Sequence, residues 1–151
     1  MSSKGLDFFF SGGVSVIVGT VDRDGNPFCC RGVALASSDG GKNITVYVPV
    51  ATGQDIIANI ATTRRIAVGS TYPPDHSAIQ LKGTTAEVRL ATEEEAPLIQ
   101  KQMEKFADSL DECGLPRRLT RSITHWPAFA IDVQVEEQYE QTPGPKAGSR
   151  L

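Results

Sequence analysis

Acidic, thiol and guanidinium groups crowd into one stretch of this 151-residue chain, "TVDRDGNPFCCRGVALAS", running from Thr20 to Ser37. Three chemistries compete for it. Asp22, Asp24 and Asn26 alternate like the oxygen ligands of a calcium loop. Such a loop needs Gly at its sixth position and Glu at its twelfth, whereas Gly25 is fourth here and Val33 twelfth. Cys29 and Cys30 are adjacent, so in a strand they point to opposite faces, and dithiol redox chemistry uses a two-residue spacer instead. Both cysteines are expected to pack. The remaining reading is a hairpin, because "DRDGNP" carries Asp-Gly and Asn-Pro turn signals between two runs of strand-forming residues.

Other chemistries find less support. His76 in "YPPDHS" and His125 in "SITHWP" sit in segments that read as solvated loops, with no nucleophile motif around them. The three cysteines and two histidines lack the paired spacings of a zinc site, so no metal is expected. "SGGVSV" precedes a strand instead of opening a helix, which makes Gly12 and Gly13 a turn and not a dinucleotide fingerprint. Arg31 is different, since it shares strand parity with Cys29, Val33 and Leu35 in an otherwise apolar run. An arginine so placed either meets an anion at the mouth of a barrel or pairs with an acid, and the sequence leaves both open.

Elements must hold that arginine. "VSVIVGTV" (Val14 to Val21), "FCCRGVALAS" (Phe28 to Ser37) and "NITVYVPV" (Asn43 to Val50) read as an antiparallel meander. Thr52 and Asp55 suggest a capping box for a helix of about three turns with Ile56, Ile57 and Ile60 on its apolar face. "RIAVGSTY" and "AIQLKGTTAEVRLA" follow as strands, with a bulge or bend expected at Gly83. Ile99, Met103, Phe106 and Leu110 then fall at helical spacing between Thr92 and Cys113, where Thr92 and Glu95 suggest a second capping box. Pro97 deletes a backbone donor and moves the expected start towards Ala96. In the closing strand, "PAFAIDVQVEEQ", Phe129, Ile131, Val133 and Val135 alternate with polar residues, and the tail from about residue 139 is expected to be irregular. The sum is a single mainly β domain over 1–151: a six-stranded antiparallel barrel, with a short helix after strand 3 and a longer one before the last strand.

Composition fits that class. At 40% hydrophobic and 22% charged the chain is an ordinary globular one, and its 15 Lys and Arg are too scattered to form the basic stripe a nucleic acid requires. No apolar run approaches the roughly 20 residues that cross a bilayer, and "MSSKGLDFFF" lacks the apolar core of a secretory signal, so a cytoplasmic protein is expected. Phe8 to Phe10 offer apolar surface either to the barrel itself or to a second copy.

Taken in order, the "D-G-x-P" hairpin, "RGVAL", "ITVYVP", "ANIATTRRIAV" and "IQLKG" resemble the pyridoxamine 5'-phosphate oxidase-like flavin-binding split barrels, over roughly Val14 to Val135. The resemblance implies FMN at the interface of a homodimer. It assigns Arg31 to the family's strand arginine, Gly32 and Val33 to the flavin ring, and Val48 to the end of the third strand. Thr52 and Gln54 match the helix start that receives phosphate, Gln80 the glutamine that reaches the flavin, and Lys82 a second basic group. The implied function is a flavin-dependent oxidoreductase of small molecules, with no side chain assigned as catalytic. A non-catalytic binder of flavin, haem or deazaflavin, for storage or sensing, is the alternative. Two departures are visible: "VATGQD" lacks the basic residue the family's enzymes place before the short helix, and the C-terminal Trp and Arg segment of true pyridoxamine phosphate oxidases is missing.

Overall fold

The computed structural model describes residues 4–151. Seven strands form one antiparallel sheet: β1 (Ser15–Val21), β2 (Pro27–Gly32), β3 (Ala34–Ala36), β4 (Asn43–Pro49), β5 (Arg65–Thr71), β6 (Ala78–Leu90) and β7 (Ala128–Glu140). Their spatial order is β2-β1-β5-β6-β7-β4-β3. The fold is therefore mainly β, with one strand more than the six expected, because the run Phe28 to Ser37 breaks at Gly32-Val33. Beyond the break the Val33 N–H donates to the Tyr47 carbonyl at 2.8 Å, so β3 pairs with β4 while β2 pairs with β1. One continuous stretch of chain thus supplies both edges of the sheet and curls it into a split barrel.

The hairpin at Asp22 is self-sufficient. Its carboxylate Oδ1 accepts from the backbone N–H groups of Asp24 and Asn26 at 2.9 Å, and Oδ2 accepts from the Asn26 side chain. The bulge expected at Gly83 is present as a register shift between Lys82 and Gly83. A Cβ there would lie 2.0 Å from the Gln134 carbonyl oxygen, so only glycine lets the strands approach this closely.

Helix α1 (Leu6–Phe9) was not expected, and it puts Phe9 and Phe10 into the protein's own barrel. Helix α2 (Gln54–Thr63) caps one end of the barrel through Ile56 and Ile60. Its N-cap is Gly53 with no side-chain bond, so the Thr52–Asp55 capping box does not form; the Thr52 N–H instead turns back to the Pro49 carbonyl at 3.2 Å. Helix α3 (Ala96–Glu112) starts where Pro97 falls in its first turn, a position whose N–H has no helical acceptor. Half of its capping box survives, as Glu95 accepts from the Thr92 N–H at 2.7 Å. A short α4 (Arg117–Arg121) follows.

Two apolar layers result. Val16, Val18, Leu35, Val46, Val48, Leu81, Ile131 and their neighbours fill the barrel interior. Ile99, Met103 and Phe106 of α3 cover Val33, Ala34, Tyr47, Ala128 and Ala130 on the outer surface of the β3–β4–β7 half. Strand β7 runs to Glu140, past the expected start of the tail, and residues 141–151 then turn back on it. The Leu151 N–H donates to the Gln138 carbonyl at 2.8 Å and the Glu140 N–H to the Ser149 carbonyl at 2.9 Å. No helix among the described residues is long and apolar enough to cross a membrane.

Candidate functional site

Helix α3 covers only half of the barrel's outer surface. On the other half, strand register lines up two transverse rows of outward side chains. The first runs Arg31, Ile17, Gly69, Gln80, Tyr139; the second runs Cys29, Gly19, Ala67, Lys82, Glu137. Ile17 is 39% exposed, a large apolar side chain left in the middle of an open face. Gly19, Ala67 and Gly69 make the centre shallow. Adjoining them, a groove of about 410 Å³ is lined by Gly19, Val21, Phe28, Cys29, Arg65 and Lys82 among others.

Arg31 stands at the boundary between the open face and α3. Its guanidinium donates to the Ser15 hydroxyl at 3.0 Å and lies 5.4 Å from the centroid of the Phe106 ring. Among the described residues no carboxylate pairs with it by a hydrogen bond or ion pair that would use its remaining donors. Of the two sequence readings for this arginine, the pairing with an acid is not seen among the described residues. Gly32 follows it with a packing role: a Cβ there would come within 2.7 Å of the Val16 side chain.

The remaining predicted residues divide between two places. Val33 is buried under α3, and Val48 is wholly buried inside the barrel. Thr52 and Gln54 are exposed at the start of α2, just beyond β4, where the Gln54 side chain donates back to the Val50 carbonyl at 3.1 Å. Val33 is the link to Arg31: it follows Gly32 in the chain and its N–H donates to the Tyr47 carbonyl of β4, the strand that leads to Thr52 and Gln54. Gln80 and Lys82 lie on β6, across the open face. Three strand spacings separate Arg31 from Gln80, about 14 Å. Gln80 accepts from the Gln141 side chain at 3.4 Å, and the Lys82 ammonium lies 5.0 Å from the Tyr139 ring.

Two sequence readings need correction. Arg31 shares the outer face with Cys29 and Val33 but not with Leu35, because the break at Val33 resets strand parity and sends Leu35 into the barrel. Cys29 does not pack; it is exposed on the open face. Cys30 points inward against the core, and burial together with the nearby Cys29 pushes its thiol up to about 11, so it stays protonated.

A polar cluster that sequence reading missed sits at the start of α3. Arg89 forks onto Glu95 at 2.7 and 2.8 Å, and the Tyr47 hydroxyl donates to Glu95 at 2.8 Å. The Arg89 hydrogen bonds hold the Glu95 carboxyl down to about 2. Ser15 and Phe106 were missed as well, since 16 and 75 residues separate them from Arg31 and no local pattern links them. His76 falls in a turn, and the His125 Nδ1 lies 3.1 Å from the Ile123 carbonyl, so neither histidine joins the site.

No family model matches the chain, and no curated protein sequence does. Solved structures do. A protein provisionally assigned as a pyridoxamine 5'-phosphate oxidase from Lactobacillus delbrueckii is 17% identical, with 92% of this chain and 93% of that one covered at a TM-score of 0.55. An F420 reductase is 13% identical over 91% and 98% of the two chains, at 0.57. HutZ, the heme storage protein from Vibrio cholerae, is 10% identical over 89% and 91%, at 0.51. At these identities the shared property is the fold, and it spans nearly the whole of each chain. The chain has the split-barrel fold of the pyridoxamine 5'-phosphate oxidase-like proteins.

Proposed function

We propose that this protein is an FMN-binding homodimer that acts as a flavin-dependent oxidoreductase on a small molecule, with the cofactor between the two copies. The observation that carries the reading is the division of the predicted residues into two groups. Arg31 stands at one side of the open face, Gln80 and Lys82 at the other, Thr52 and Gln54 lie beyond β4, and the groove beside the Arg31–Gln80 row includes Lys82 but neither Arg31 nor Gln80. A flavin touching both groups needs a second wall, which a copy related by twofold symmetry supplies.

The donor set fits the phosphate at one point and opposes it at another. Arg31 offers a half-buried guanidinium with donors to spare, the geometry that grips phosphate. The first turn of α2 offers amides free of any side-chain cap, yet carries Asp55 and no cation. FMN therefore fits through Arg31. When bound, it supplies the electron-accepting ring, and the protein's part is to hold and orient it. Asp55 is also what favours a second reading, a non-catalytic binder of haem or of a deazaflavin, ligands carried by proteins of this fold.

The absorption spectrum of the purified protein decides among these. A flavin spectrum bleached by NADPH supports the oxidoreductase; a flavin spectrum that NADPH leaves unchanged points to a binder. A Soret band or a deazaflavin spectrum, with no binding of added FMN, overturns the FMN reading.

A further inference from the structure

We propose that α3 forms the back of the anion clamp, with Phe106 and Ser15 as positioning residues that hold the Arg31 guanidinium ready for a phosphate. The proposal rests on the FMN reading above. Arginine has a long stem with many rotamers, and ordering it at the moment of binding weakens affinity; an arginine already held loses less. Here two groups from distant parts of the chain hold it. The Ser15 hydroxyl accepts one N–H at 3.0 Å, and the Phe106 ring lies under the guanidinium at 5.4 Å, within the range of a cation–π contact.

Phe106 is itself fixed. Gln102 lies one turn earlier on the same face of α3 and is buried. Its Oε1 accepts from the Leu35 N–H at 2.9 Å, and its Nε2 donates to the carbonyls of Leu35 at 2.9 Å and Phe10 at 3.2 Å. This amide docks α3 onto the edge strand β3, immediately after the Arg31-Gly32-Val33 segment. The helix that delivers the ring is therefore tied to β3, and through the short Gly32-Val33 connection to the strand end that carries the arginine.

The test compares FMN with riboflavin, which lacks the phosphate. In Phe106→Leu the apolar packing is largely kept and the ring is lost, so FMN binding is expected to weaken about three- to tenfold and riboflavin binding to stay unchanged. Ser15→Ala, at a half-buried surface position, is expected to weaken FMN about two- to fivefold with the same selectivity, and serves if Phe106→Leu does not fold. In an Arg31→Met background Phe106→Leu is expected to have no further effect on FMN, because its action passes through the arginine. Equal weakening of FMN and riboflavin, an undiminished effect in the Arg31→Met background, or no effect of either substitution overturns the proposal and leaves the FMN reading standing. A wild-type protein that binds no FMN overturns that reading first, and this proposal with it.

Discussion

At the scale of single residues, Arg31 carries the most weight and gives the sharpest prediction. Charge-assisted hydrogen bonds contribute about 1.5 to 3 kcal/mol, so Arg31→Met is expected to weaken FMN binding about tenfold to a hundredfold while riboflavin binds almost as before. Titration of both ligands by flavin fluorescence measures the contrast. Weakening of both assigns Arg31 to the shape of the site; weakening of neither places the phosphate elsewhere, with Lys82 and Arg64 next to be tested. Sequence parity put Arg31 on a face with Val33 and Leu35. That grouping failed for Leu35 because Val33 leaves the ladder between β2 and β3, and a break of one residue turns the side chains that follow it to the other face.

Elements impose their own constraints, and two predictions belong to them. Gly83→Ala is expected to destabilise the fold by about 3 kcal/mol or more, because its Cβ meets the Gln134 carbonyl oxygen 2.0 Å away and backbone must move. A lowered urea midpoint at unchanged slope measures it. The start of α3 depends on the Glu95 carboxylate, which the Arg89 hydrogen bonds hold down to about 2 from an ordinary value of 4.5. A depressed folded-state value means that the stabilisation is fully present above about pH 4.5 and is lost as pH falls towards 2. Stability measured between pH 6 and pH 2.5 is thus expected to fall less in Glu95→Gln than in the wild type, while at pH 6 the variant starts lower by about 1.5 to 3 kcal/mol. Equal pH slopes in the two proteins would remove Glu95 from this role.

The whole molecule turns on its uneven coat. One half of the barrel wears α3, and the other shows Ile17 to solvent beside glycine and alanine, a surface suited to a second copy. Ile17→Glu puts a charge at the middle of that face and is expected to raise the dimer dissociation constant at least about tenfold, with FMN binding lost in parallel. Light scattering at micromolar concentration reads the mass; a wild-type monomer that still binds FMN would overturn the dimer reading. FMN at 100 times its dissociation constant adds roughly 2.7 kcal/mol of stability, which for a chain of this size raises the melting temperature by about 5 to 10 °C.

Local signals in the sequence determined most of the elements. β-branched runs, the Asp22 hairpin, the bulge glycine and the Ile99–Met103–Phe106 spacing each act over a few residues, so their strands and helices could be read directly. Pro97 likewise marked the start of α3. The sequence also singled out Arg31 as a charge in an apolar run, without saying what surrounds it. Only the tertiary structure decided that surrounding, because Ser15 and Phe106 reach Arg31 across 16 and 75 residues of chain. It also decided that the run from Phe28 to Ser37 is two strands and not one. A chain can pair with one neighbour before a glycine and another after it, and the choice belongs to the closing of the barrel, where contacts between distant segments outweigh local preference.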